Sequence, residues 1–198
     1  ELKHQLKDQK DIFSDIELLS SQVERCNQIL KKLSLNPNEE DDFIDEDLSL
    51  REYINQIILS FKETSNKNFI LDFKQDLNSK KISKSIEIIY GLRNFIGNAN
   101  KFSKNKIFIT LKSNNKSSEI IIEDDGIGYP SEILSKIGEP YLRTFKHDSK
   151  SQSGLGLGIF IGKTLLEKNF AFINCRNSKT STGAEVTIKW KTEDLIKI

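Results

Sequence analysis

The sequence predicts an α/β domain, a mixed sheet with helices on one face, preceded by one long bundle or coiled-coil helix. Three observations carry that prediction. Alternating strand-like runs and periodic helix-like runs interleave from about residue 48 to residue 198. Residues 1–36 instead carry one apolar seam, with Ile12, Ile16, Leu19, Val23, Cys26, Leu30 and Leu33 spaced by three and four. Two glycine motifs, Asp124-Asp125-Gly126-Ile127-Gly128 and Gly154-Leu155-Gly156-Leu157-Gly158, fall at a strand end and at a helix start.

Composition narrows the function classes. The 198 residues are 36% hydrophobic and 30% charged, as in a folded soluble domain. Lysine and arginine number 30 against 29 acidic residues, a net charge of +1 that gives no sign of a nucleic-acid partner. The longest apolar runs, such as Ile57-Ile58-Leu59, fall far short of a bilayer span, and no signal peptide is visible. Cys26 and Cys175 do not make a disulfide scaffold and suit a reducing compartment, so a cytoplasmic location is expected.

Taken in order, the first helix wants a partner helix for its seam. Pro37 ends it, and the acidic stretch 37–47 reads as a linker leading into a short edge strand. Ser49 and Glu52 have capping-box spacing and predict a helix that buries Ile54, Ile57, Ile58 and Phe61. Phe69, Leu71 and Phe73 alternate with polar or opposite-face residues as in a strand. A helix follows from about Lys84 to Phe102, with Leu92, Phe95, Ile96 and Ala99 as its core stripe. Two strands come next, at Ile107–Leu111 and Glu119–Glu123. A polar stretch from Tyr129 to Ser153, with one short helical piece near Ser131–Ile137, has the length of a functional loop. The last helix runs through Leu166, and two strands, Ala171–Cys175 and Glu185–Trp190, bracket a turn at Ser178–Gly183. Cys175 is expected on a core strand.

The chemistry concentrates on three segments. Asn94, Asn98 and Lys101 share the helix face opposite the core stripe, with Phe102 at its edge. Carboxamide oxygens are hard neutral ligands that suit Mg²⁺, which keeps most of its waters and leans on substrate phosphates. Glycines at a helix start let backbone amides approach phosphate oxygens. An aspartate followed by two glycines can accept from an exocyclic amine while a ring lies against bare backbone, which describes an adenine site. The second glycine run is no Walker A motif, because no Gly-Lys-Ser/Thr completes it.

In this order and spacing the motifs resemble the GHKL, or Bergerat, ATP-binding fold, a two-layer α/β sandwich. The match is with the catalytic domain of sensor histidine kinases, from about Asp45 to Trp190. Gly138-Glu139-Pro140-Tyr141 looks like the F box of its lid and Gly183-Ala184 like its last G box. A narrower resemblance is to the RegB/PrrB/ActS redox-responsive kinases. It rests on Leu92-Arg93-Asn94-Phe95-Ile96 with Asn98-Ala99, on Gly162-Lys163-Thr164-Leu165-Leu166-Glu167, on Gly183-Ala184-Glu185-Val186 ending at Trp190, and on Glu24-Arg25-Cys26-Asn27-Gln28-Ile29-Leu30.

The resemblance implies ATP and Mg²⁺ as cofactors. Asn98 would coordinate the metal, Lys101 contact phosphate, and Phe102 pack on the nucleotide. Asp124 would bind the adenine amino group, with Gly126 and Gly128 shaping its pocket. Gly154, Leu155, Gly156, Leu157 and Gly158 would wrap the phosphates, and the lid would bring in Tyr141. Asn94 stands where other members of the fold place a water-activating glutamate. Its amide is no general base, which favours transfer to histidine over hydrolysis. Residues 1–36 would be the second helix of a dimerising phosphotransfer hairpin, joined by linker 37–47 to the catalytic domain 48–198. Cys26 would be its redox-active thiol.

One departure stands out. The box His-Glu/Asp-Leu followed by proline is missing, and His4-Gln5-Leu6-Lys7 does not replace it. The resemblance therefore implies an acceptor histidine and a membrane sensor segment upstream of Glu1, a homodimer formed through the first helix, and a response regulator receiver domain as the next phosphoryl acceptor. The alternative reading is a GHKL regulatory module, such as an anti-sigma-factor kinase or a non-catalytic scaffold.

Overall fold

The computed structural model describes residues 47–62, 64–77, 81–83, 85–140, 157–179 and 182–195. The amino-terminal helix with Cys26 and His4, most of the acidic linker, Tyr141 and the run Gly154-Leu155-Gly156 lie outside the described residues.

The capping box forms as its spacing predicts. The Ser49 amide and hydroxyl donate to Glu52 Oε2 at 2.6 and 2.8 Å, and the Glu52 amide donates back to Ser49 Oγ at 3.3 Å. These bonds, the backbone one foremost, hold the Glu52 carboxyl below its ordinary pKa. They launch α1 (Leu50–Lys62) directly from β1 (Leu48–Ser49). Ile54, Ile57 and Ile58 are buried, while Phe61 is half-buried and stacks on Phe69 with ring centroids 6.4 Å apart. β2 (Asn68–Asp76) follows, then β3 (Lys81–Ile82), which pairs antiparallel with β1. The strand expected after the linker is thus half of a separate two-residue ribbon and is not an edge of the main sheet.

Ser85, whose hydroxyl accepts the Ile88 amide, caps α2 (Ile86–Phe102). Leu92, Phe95, Ile96 and Ala99 are all buried on its inner face. β4 (Lys106–Ser113) and β5 (Ser117–Asp124) follow, then the single turn α3 (Ser131–Leu134) and α4 (Gly158–Lys168). β6 (Phe172–Asn177), β7 (Ala184–Lys191) and the short α5 (Thr192–Leu195) complete the described chain.

The five-stranded sheet runs β2-β4-β5-β7-β6, with β2 and β4 parallel and the remaining pairs antiparallel. A parallel pair needs a crossover, and α2 supplies it. Ile107, Ile109, Leu111, Ile120 and Ile122 alternate with half-exposed Phe108, Thr110, Glu119 and Ile121, so one face of the sheet is covered. β6 is one of the sheet's two edge strands. That corrects the placing of Cys175 on a core strand: it faces the covered side, beside Val186, but only half-buried.

Two glycines bring the helices of the site together. A Cβ on Gly91 would run into the Leu166 side chain, and one on Gly162 would meet the Phe95 ring at 3.0 Å and the Gly91 carbonyl at 3.1 Å. With hydrogens in place of side chains, α2 and α4 cross at backbone contact. The start of α4 is thereby set against the polar face of α2.

Candidate nucleotide site

Three elements build the site: the outer face of α2, the start of α4, and the end of β5. On α2, Asn94 and Asn98 are half-buried, while Lys101 and Phe102 are exposed. Lys101 Nζ lies 5.3 Å from the centroid of the Phe102 ring. Asn94 Nδ2 donates to the Tyr90 carbonyl one turn back at 2.8 Å. That bond commits the nitrogen and turns the oxygen towards α4, within 3.6 Å of where a Gly158 Cβ would stand. Leu157 caps α4 without a side-chain hydrogen bond of its own, so its side chain leaves the first-turn amides available. Oriented amides facing a carboxamide oxygen form an arrangement that suits a phosphate chain with its cation.

Asp124 closes β5 and is only 4% exposed. Its Oδ1 accepts the Gly126 amide at 2.8 Å and the Ala184 amide at 3.3 Å. Burial raises its pKa, those two amides oppose the rise, and the charge of Asp125 adds to it. Gly126 and Gly183 are obligatory. A Cβ on the first would strike the Phe102 carbonyl oxygen, and one on the second would strike the Asp124 main chain and carboxylate. The carboxylate is therefore held between two bare stretches of backbone.

Neighbouring residues absent from the sequence-based expectation hold this cradle. Asp125 Oδ1 accepts the Lys104 and Asn105 amides at 2.7 and 3.0 Å, tying the glycine turn to the end of α2. The Thr182 hydroxyl donates to the Gly126 carbonyl at 3.1 Å. Gly128, at φ +75°, faces Asn177. Asp125 lies inside the quoted motif, yet the motif alone assigns it no partner. Asn177 and Thr182 carry no local signal, because their contacts are made across the fold.

Among the described residues no group of three or more histidine, cysteine, aspartate or glutamate side chains is placed to hold a metal ion. A divalent ion here would rest on carboxamide oxygen and the phosphates of its own substrate, which the Asn94 and Asn98 face fits.

Residues 84–194 match the family of histidine kinase-, DNA gyrase B- and HSP90-like ATPases. Over its full length the chain is 30% identical to the sensor histidine kinase RegB of Cereibacter sphaeroides, of which it covers 46%. It is 32% identical over 133 residues to the signal transduction histidine-protein kinase ArlS of Staphylococcus haemolyticus, 65% of this chain and 29% of that one. The chain thus spans about half the length, or less, of the curated relatives it matches. Among solved structures, the catalytic domain of histidine kinase ThkA superposes with a TM-score of 0.61 at 23% identity, over 75% of this chain and 97% of that one. Full-length ShkA in complex with AMPPNP gives 0.61 at 17% identity, over 73% and 30% respectively. These last two likenesses speak to the fold, the two-layer sandwich expected from the motifs.

Proposed function

Since the chain belongs to the histidine kinase-, DNA gyrase B- and HSP90-like ATPase family, we propose that it is the ATP-binding catalytic part of a two-component sensor histidine kinase of RegB type. It passes the γ-phosphoryl group of ATP to a histidine outside this sequence, and from there the group moves to a response regulator. The observation that carries the site reading is the buried Asp124 carboxylate held between Gly126 and Gly183. The relatives and structures named above are sensor kinases, and nothing among them favours the regulatory-module alternative.

When bound, magnesium neutralises phosphate charge. The chain's own residues bind and orient. Asp124 accepts from the adenine amine, while Gly126 and Gly128 admit the ring. Asn98 supplies a metal oxygen, Lys101 meets phosphate, and Phe102 covers the nucleotide. Leu157 and Gly158, with Gly154, Leu155 and Gly156, offer amides to the phosphates, and Tyr141 closes with the lid. Asn94 orients without removing a proton, so water is not activated.

Residues 1–36 as a dimerising helix, 37–47 as its linker and 48–198 as the catalytic domain belong to the same proposal, as do a cytoplasmic location and a redox role for Cys26. No described helix is long and apolar enough to cross a membrane.

Calorimetry with Mg-ATP tests the metal face. Asn98→Ala should weaken binding about ten- to a hundredfold. Asn100, whose Oδ1 accepts the Ser65 hydroxyl at 2.6 Å, serves the fold instead. Asn100→Ala should cost about 1 kcal/mol of stability and leave Mg-ATP affinity near wild type. Equal losses of affinity from the two changes would sink the assignment.

A further inference from the structure

Asn177, the exposed last residue of β6, spends both ends of its carboxamide on one distant residue. Its Oδ1 accepts the Tyr129 amide at 2.6 Å, and its Nδ2 donates to the Tyr129 carbonyl at 3.0 Å. A carboxamide presents acceptor and donor as a peptide group does, so it pairs with Tyr129 as a neighbouring strand would. Gly128 makes room for it. At φ +75° that residue is left-handed, and a Cβ there would sit 2.6 Å from Asn177 Oδ1. The Tyr129 ring points inward, its hydroxyl buried without a well-formed hydrogen bond and next to the Cys175 thiol, a weak acceptor. The turn after Asn177 also touches the glycine motif, through Thr182 on the Gly126 carbonyl and the Ala184 amide on Asp124.

We infer that Asn177 is a positioning residue for base recognition: it fixes the left-handed turn at Gly128 and so holds the Gly126–Gly128 backbone against the ring that Asp124 selects. It touches no nucleotide itself. The inference rests on the reading of Asp124 as the adenine acceptor. A merely structural role would lower stability and leave the preference between bases unchanged.

Displacement of a fluorescent ATP analogue by ATP and by GTP, with Mg²⁺ present, tests this on the whole 198-residue chain. The wild type should prefer ATP. Asn177→Ala should cut the ATP-to-GTP affinity ratio about tenfold, and should lower the thermal midpoint of the unliganded chain by only a few degrees, the cost of two modest hydrogen bonds within the fold. Asn177→Asp keeps the acceptor for the Tyr129 amide but sets an oxygen against its carbonyl, so its ratio should fall as well. A wild-type ratio in Asn177→Ala overturns the inference, and so does an equal loss of ATP and GTP affinity. A wild-type chain with no preference for ATP overturns the adenine reading itself, and this inference with it.

Discussion

At the scale of single residues, the proposed role of Asp124 makes base recognition sensitive to acidity. Burial lifts its pKa above the ordinary 3.8, against the pull of the Gly126 and Ala184 amides and with help from Asp125. The folded chain therefore holds this proton more tightly than the unfolded one. Its contribution to stability is present below pH 3.8 and is lost as pH rises through the raised value. On that reading nucleotide affinity runs the other way, since the ionised carboxylate is the stronger acceptor for an amine. ATP affinity should fall on acidification at a pH above that of an exposed aspartate. Asp124→Asn should remove this acid limb and weaken ATP at neutral pH by about ten- to a hundredfold, with an unchanged circular dichroism spectrum. An acid limb that survives the substitution would assign it to another group.

At the scale of elements, the end of α4 shows a sequence paying for geometry. The Ala171 amide bonds the Leu166 carbonyl and the Phe170 amide bonds the Glu167 carbonyl, the paired closure of a Schellman cap. The residue at its turning point is left-handed, which favours glycine, yet it is Phe170, at φ 63° and 63% exposed. Phe170→Gly should relieve about 1 kcal/mol of backbone strain and raise the melting temperature by about 2–4 °C, read by calorimetry. A lowered midpoint would mean that the exposed ring makes contacts worth more than the strain.

The same comparison explains what could be read from the sequence. The stripe of α2 and the Ser49–Glu52 box are local, written within one or two helical turns, and the structure has them where the spacing puts them. The β1–β3 ribbon, the Phe170 cap and the tie between Asn177 and Tyr129, 48 residues apart, are set by tertiary placement. Nothing in a window of neighbouring residues specifies them. The shared face of Asn94 and Asn98 is a local property of one helix, whereas Asp125 finds its partners at Lys104 and Asn105, 21 and 20 residues back.

At the scale of the whole molecule, the two cysteines should behave differently under oxidation. Burial pushes the Cys175 thiol up to about 11, although the charge of Lys163 and the contact with Tyr129 pull it back. It stays protonated at neutral pH and reacts slowly. If the first helix dimerises as proposed, mild oxidation should join two copies through Cys26. That crosslink on a non-reducing gel should vanish in Cys26→Ala and persist in Cys175→Ala. The reverse pattern would identify the wrong thiol, and a dimer with the Cys26 Cα atoms more than about 7 Å apart would exclude a direct bond.

Chain order and spatial order diverge in the sheet, since β7 is the last strand made yet lies between β5 and β6. It also brings the Gly183–Ala184 turn that completes the surroundings of Asp124. A ribosome that has emitted everything through Asn177 has released both glycine motifs and the asparagine-bearing helix, but not the strand that joins β6 to the sheet. On the proposed reading, the adenine site is complete only once β7 has joined the sheet. A chain that stops short of residue 184 should therefore bind ATP far more weakly, and it leaves β5 and β6 without the strand that pairs with both.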